Sequence, residues 1–129
     1  MDEPVWLEQA LVDFIAEDQV RRYGGLYGLR DVTLLESALA RPRQRFAYDS
    51  TCDLASLAAS LGFGLAKNRP YLDANKRVAF MAMYTFLGLN GLSLEAEELE
   101  AVSIMLALAS GDLSEEEFAT WLRLRTVAR

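Results

Sequence analysis

The chain contains no histidine and a single cysteine, Cys52. The first absence removes the usual zinc ligand and the side chain that titrates nearest neutral pH. The second rules out an internal disulfide framework and a cysteine-rich metal cluster. Carboxylates are left as ligands for any hard cation, such as magnesium. Cations are in the minority, 13 Lys and Arg against 19 Asp and Glu for a net charge of -6, which argues against general nucleic-acid binding. Any basic site must be local. The densest apolar run, Val78 to Leu89, falls well short of the roughly 20 residues needed to cross a bilayer. The opening residues, Asp2 and Glu3 among them, show no basic region and apolar block of a secretory signal, so a cytoplasmic protein is expected.

What is present is a chain of 129 residues with 52% hydrophobic content, enough for one domain over residues 1–129 with a real core. Its pattern is all-α, a compact bundle of about six helices with little strand alternation. Trp6, Ala10, Leu11, Phe14, Ile15 and Val20 recur at helical spacing, and Tyr23-Gly24-Gly25 ends that first helix. Thr33 with Glu36 predicts a capping box for a second helix that Pro42 stops. Residues 43–50, with Phe46 and Tyr48 two apart, are the one place where an extended or hairpin-like flap is expected.

Asp53 is placed to cap a third helix with Leu54, Leu57, Ala58, Leu61 and Leu65 on one face. Gly62 and Gly64 inside it are read as permitting close packing rather than serving a phosphate. Pro70 ends this helix near Arg69. A fourth starts near Asn75, apolar on nearly all sides and therefore expected at the centre of the molecule, and Asn90-Gly91 closes it. A fifth covers Glu95 to Ser110 with Leu99, Val102, Ile104, Met105 and Leu108 as its apolar positions. Ser114 with Glu117 opens a sixth, which buries Phe118, Trp121 and Leu122.

The stretch Arg69-Pro70-Tyr71-Leu72-Asp73-Ala74-Asn75-Lys76-Arg77 carries the chemistry. Lys76 and Arg77 sit at a helix start, where unpaired N–H groups and the positive end of the dipole already gather; a bound anion removes the conflict. Lys76 offers a point charge to a terminal phosphate, Arg77 a planar fork for two oxygens, and Asp73 a ligand for magnesium bridging phosphates. Taken singly, each has a plainer reading: Asp73 or Asn75 as the helix N-cap, Lys76 and Arg77 as surface charges, Tyr71 and Leu72 as core anchors for the loop.

The string from Asn68 to Arg77 resembles the signature of the Fic/Doc family, read as N-H-P-F-x-D-G-N-K-R in its Doc-like branch. Tyr23-Gly24-Gly25, Leu34 to Ala38, Asp53-Leu54 with Leu57-Ala58-Ala59, and Thr85 to Leu87 with Leu89-Asn90-Gly91 extend the resemblance over roughly residues 5 to 95. It implies a toxin of a toxin–antitoxin module that uses ATP and magnesium to modify a hydroxyl on a protein target. Lys76 stands where most Fic domains have a second glycine, which favours phosphotransfer, to elongation factor Tu by resemblance, over AMP transfer. By the same carry-over Asp73 holds magnesium, and Ala74, Asn75, Lys76 and Arg77 surround phosphate. Residues 43–50, with Arg43, Arg45, Phe46 and Tyr48, form the flap and groove for the target or a small Phd-type antitoxin. Arg41, Arg43 and Arg45 would either meet an acidic partner segment there or form a solvated basic loop after Pro42.

Two positions depart from the signature. Ala74 replaces a glycine, and Arg69 replaces the histidine that takes the proton from the attacking hydroxyl. An arginine side chain, with a pKa above about 12, has no lone pair free for that task, and general-base action typically contributes on the order of 100- to 10,000-fold in rate. The expectation is a Doc-like phosphotransferase scaffold impaired by Arg69; the competing one is a non-catalytic binding module on the same fold. The S/T-x-x-x-E-G/N inhibitory motif of some Fic proteins is not found.

Overall fold

A computed structural model describes residues 1–129. Six helices and one small sheet follow in the order α1 (Gln9–Tyr23), α2 (Val32–Tyr48), α3 (Leu54–Asn68), α4 (Asn75–Leu89), β1 (Leu92–Leu94), α5 (Glu98–Ser110), α6 (Glu115–Arg125) and β2 (Thr126–Ala128). The expected all-α bundle of six helices is borne out. The sheet is an antiparallel pair in which Leu92, Ser93 and Leu94 face Ala128, Val127 and Thr126. No helix is long and apolar enough to cross a membrane.

The centre is α3 rather than α4. Eleven of its 15 residues are buried, and it packs against α2, α4, α5 and α6. Small residues make this possible: Ala55, Ser56, Ala58, Ala59, Ser60, Gly62 and Gly64 let neighbours approach from every side. A Cβ on Gly64 would lie 3.2 Å from the Cα of Ala38 in α2, and one on Gly62 would lie 3.1 Å from the Phe118 ring in α6. The packing role read for these glycines is thereby accounted for. The bulkier α4 buries Val78, Ala79, Ala82, Met83, Phe86 and Leu87 but leaves Tyr84 and Leu89 exposed.

Several local expectations need correction. Asp31, not Thr33, caps α2, its carboxylate accepting from Leu34 N at 3.1 Å. Pro42 does not stop the helix: it is buried inside α2, which runs on to Tyr48. Residues 43–48 are consequently helical, and the expected extended flap over 43–50 is absent. Contacts distant in sequence hold this second half of α2 against the cost of an interior proline, about 3 kcal/mol. Phe46 meets Trp6 edge-on at 5.8 Å, and Arg41 and Arg45 both pair with Glu115 of α6. Leu99 and Val102 on α5 point to solvent rather than inward.

Other signals hold. Asp53 accepts from Ser56 N at 2.9 Å at the start of α3, and Ser114 with Glu117 forms the reciprocal capping box of α6. Phe118, Trp121 and Leu122 are buried as expected.

Candidate functional site

The loop between α3 and α4 is fixed from below before any charged side chain is placed on it. Asn68 closes α3, and Arg69 follows in the left-handed region at φ 49°, its N–H still bonded to Leu65 O. The α1–α2 connection then pairs with the loop: Arg30 N donates to Pro70 O at 2.7 Å, Leu72 N donates to Gly28 O at 2.9 Å, and Leu29 bridges Tyr71. The Arg30 guanidinium donates to the carbonyls of Asn68 and Arg69, the negative end of α3. Tyr71 anchors the loop in the core, and its hydroxyl donates to Asp13 Oδ1 at 2.7 Å. Burial first, and then that carboxylate, raise its pKa well above the ordinary phenol value. Leu72, expected beside it as a second anchor, is exposed.

Neither Asp73 nor Asn75 caps α4. The cap position falls on Ala74, left-handed at φ 67°, and no side chain caps the helix. The first intrahelical bond runs from Val78 N to Ala74 O, so the N–H groups of Asn75, Lys76 and Arg77 have no protein acceptor. They form the bare positive end of a helix anchored in the core.

Arg69, Asp73, Ala74, Asn75, Lys76 and Arg77 all line one cavity of about 320 Å³, joined by Ala66, Lys67, Leu72 and Ala109. The residues singled out in the motif are thus brought together, but their side chains are not equally free. The Asn75 amide braces the loop, bonding both the N–H and the carbonyl of Tyr71 through its oxygen and one of its two N–H groups. Arg77 donates to Gln19 O and Gly24 O, each at 3.1 Å, and stacks over Tyr23, tying α4 to the end of α1. Asp73 Oδ2 accepts from Leu26 N at 2.9 Å, leaving Oδ1 without a partner. Gly25, at φ 113°, keeps that approach open: a Cβ there would sit 3.2 Å from the Asp73 Cβ.

Charge is distributed unevenly over the molecule. Arg21, Arg22, Arg41, Arg43, Arg45, Arg123 and Arg125 each pair with a carboxylate. Six cations pair with none, although the chain carries an excess of acids: Arg30 and Arg129 are not among the cavity's lining, while Lys67, Arg69, Lys76 and Arg77 all line it, with Asp73 as its single carboxylate. Lys67 escaped the sequence reading. The available signal was its position as the only charged residue of α3, two places before Arg69.

The side chains proposed for the flap lie elsewhere. Arg43 pairs with Glu8 and stacks on Trp6, Arg45 pairs with Asp49 and Glu115, Phe46 packs on the core, and Tyr48 is exposed. None of them lines the cavity.

Chemically, the cavity can hold an anion with several oxygens. No group of three or more carboxylate, histidine or cysteine side chains exists to hold a metal by itself. The free Asp73 oxygen fits a divalent cation that arrives already bound to phosphate oxygens and water, the usual situation of magnesium. Asp73 is also the only side chain of the lining that can accept a proton at neutral pH.

The fold and cavity define a helical domain with a cation-lined cavity at the start of a core helix. The Fic/DOC family model matches residues 6–87, and the chain belongs to this family. It is 32% identical over 104 residues to "Protein kinase doc" of Escherichia phage P1, covering 81% of this chain and 82% of that protein. It is 41% identical over 76 residues to "Toxin Doc" of Mycolicibacterium smegmatis, covering 58% of each. The expected kinship with Doc-type proteins is borne out.

Proposed function

We propose that this protein is a Doc-like toxin scaffold. Its cavity binds the phosphates of ATP with magnesium, and its parent activity is transfer of the terminal phosphoryl group to a hydroxyl of a protein target, elongation factor Tu by resemblance. The observation that carries this reading is the gathering of four cations without carboxylate partners and three free helix N–H groups around one cavity of about 320 Å³. In the transfer, the acceptor oxygen attacks the γ-phosphorus, the bond to the β-phosphate bridging oxygen breaks, ADP leaves, and the hydroxyl proton must find a base. Lys76 and the α4 N–H groups stabilise charge on the phosphoryl oxygens. Asp73 would hold magnesium, which would supply positive charge to the phosphates when bound.

The proton is where this chain falls short. Arg69 cannot accept it, and Asp73 is the one lining group that can. We therefore place turnover far below that of a member with histidine at position 69. The same observation favours a second reading, a binding module that keeps the cavity and uses Arg69 as a further phosphate ligand. In either case the partner is a small antitoxin of the Phd type with a disordered segment that folds on this protein, and both act in the cytoplasm. The name of the phage relative supports phosphorylation over AMP transfer.

The test is isothermal titration of Mg-ATP into the chain and into Arg69→His, followed by a transfer assay on elongation factor Tu. Binding by both, with phosphoryl transfer only by Arg69→His, supports the impaired enzyme. Binding by both with transfer by neither supports the module, and AMP on the target would assign the other transferred group. No binding by either overturns both readings.

A further inference from the structure

Lys67 lies outside the motif, yet it lines the same cavity. It projects from the last turn of α3, where a cation is favourable to the helix dipole, and the end of α5 holds it in place. Nζ donates to Ala109 O at 3.3 Å and sits 5.9 Å from the centre of the Phe63 ring. An ammonium has three N–H donors, so two are left over. No carboxylate pairs with it, although acids outnumber cations in the chain.

The cavity therefore has two cationic walls. Lys76 and Arg77 lie on the α4 side, and Lys67 and Arg69 on the α3 side, separated in sequence by the loop that carries Asp73. A volume of about 320 Å³ is at the lower edge of the ~300–1,000 Å³ typical of small-molecule sites and exceeds the needs of one phosphate. We propose that Lys67 is a binding residue for the far phosphates of an extended polyphosphate, making the site a clamp selective for di- and triphosphate groups over a single phosphate. The inference rests on the phosphate-site reading above and adds to it the α3 wall and its selectivity.

A plainer role competes, in which Lys67 only ties α3 to α5 through Ala109. The two differ in what removal of the charge does to a ligand. The experiment titrates inorganic tripolyphosphate and orthophosphate into the parent chain, Lys67→Gln and Lys67→Arg, and records a thermal melt of each. For Lys67→Gln a loss of about three- to fivefold in tripolyphosphate affinity is expected, as for an exposed ion pair. Orthophosphate affinity should move far less. Lys67→Arg should regain most of the loss, and the deficit should shrink at high ionic strength.

If Lys67→Gln binds tripolyphosphate as the parent does, whatever its melting temperature, the inference is overturned and the tie to α5 is the whole role. Equal losses for both anions overturn the selectivity. A parent chain that binds tripolyphosphate no better than orthophosphate overturns the clamp as well. If the parent binds neither, the underlying phosphate-site reading fails with it.

Discussion

Asn75 and Tyr71 hold each other by both polar ends: Tyr71 N donates to Asn75 Oδ1 at 2.9 Å, and Asn75 Nδ2 donates to Tyr71 O at 3.0 Å. The amide of Asn75 thus closes the loop over the core with its oxygen and one of its two N–H groups, while its backbone N–H has no protein acceptor. Replacing Asn75 with Ala strands two buried backbone groups of Tyr71, each with a desolvation cost of about 1–3 kcal/mol. We expect Asn75→Ala to lose about 2–3 kcal/mol in urea unfolding. Mg-ATP affinity should fall too, because the α4 N–H groups lose their fixed frame. Unchanged stability would show that the loop holds itself without this pair.

Much of that loop was legible in the sequence because its information is local. Pro70 restricts Arg69, a run of apolar residues follows Asn75, and cations stand where a helix begins. Local signals also gave Asp53, Ser114 and the closure at Asn90-Gly91. What escaped depends on residues far apart. Pro42 reads as a helix stop until Trp6 and Glu115 are seen holding the turns beyond it. The central place of α3 comes from small side chains, which carry less hydrophobic weight than the Phe and Met residues of α4 yet allow closer approach. Lys67 enters the site only because α5 ends beside it. Asn75 and Arg77 line the cavity, but their hydrogen bonds to Tyr71, Gln19 and Gly24 could not be read from spacing.

Gly64 gives a sharp test of the packing at the centre. In an unconstrained helix interior, Gly→Ala gains up to about 1 kcal/mol. Here the added methyl would lie 2.9 Å from Arg41 Cδ and 3.2 Å from Ala38 Cα, and the second of these is backbone that cannot swing away. Overpacking typically costs about 1–3 kcal/mol, so Gly64→Ala should destabilise by about 1 kcal/mol net. A rise in the urea midpoint would mean that α2 and α3 can separate at little cost.

The dependence of stability on pH can be assigned to a particular pair. Arg123 donates to both carboxylate oxygens of Asp53, at 2.7 and 3.0 Å, and Ser56 adds two more donors from its N–H and hydroxyl. These bonds, Arg123 first, hold the Asp53 carboxyl well below the usual carboxylate range. A carboxyl depressed in the folded state contributes stability above its unfolded pKa of about 3.9 and loses that contribution as pH falls below it. Asn caps a helix about as well as Asp, so Asp53→Asn removes the charge while keeping the cap. We expect it to cost about 1 kcal/mol near pH 7, for a pair half exposed to solvent, with the gap to the parent closing below about pH 4. Urea melts of both chains from neutral to acid pH check this; a gap independent of pH would assign the loss to packing.

Arg69 and Ala74 are the only non-glycine residues with positive φ, at 49° and 67°, and they bracket the loop that carries Asp73. Each sits in a conformation that costs a side-chain-bearing residue about 1–2 kcal/mol relative to right-handed geometry, part of which glycine offsets by its greater entropy when unfolded. Arg69 is the left-handed cap that ends α3 and Ala74 the one that starts α4, so both positions are set by how the loop joins the two helices. Replacement with glycine at either should raise stability by up to about 1 kcal/mol. The two variants should then part company in phosphate binding. Ala74→Gly leaves every charge in place and should bind tripolyphosphate at least as well as the parent. Arg69→Gly gains the same backbone relief but gives up a cation that lines the cavity, and should bind about three- to fivefold more weakly. Equal affinities in the two variants would separate Arg69 from the anion and leave it a role only in ending α3.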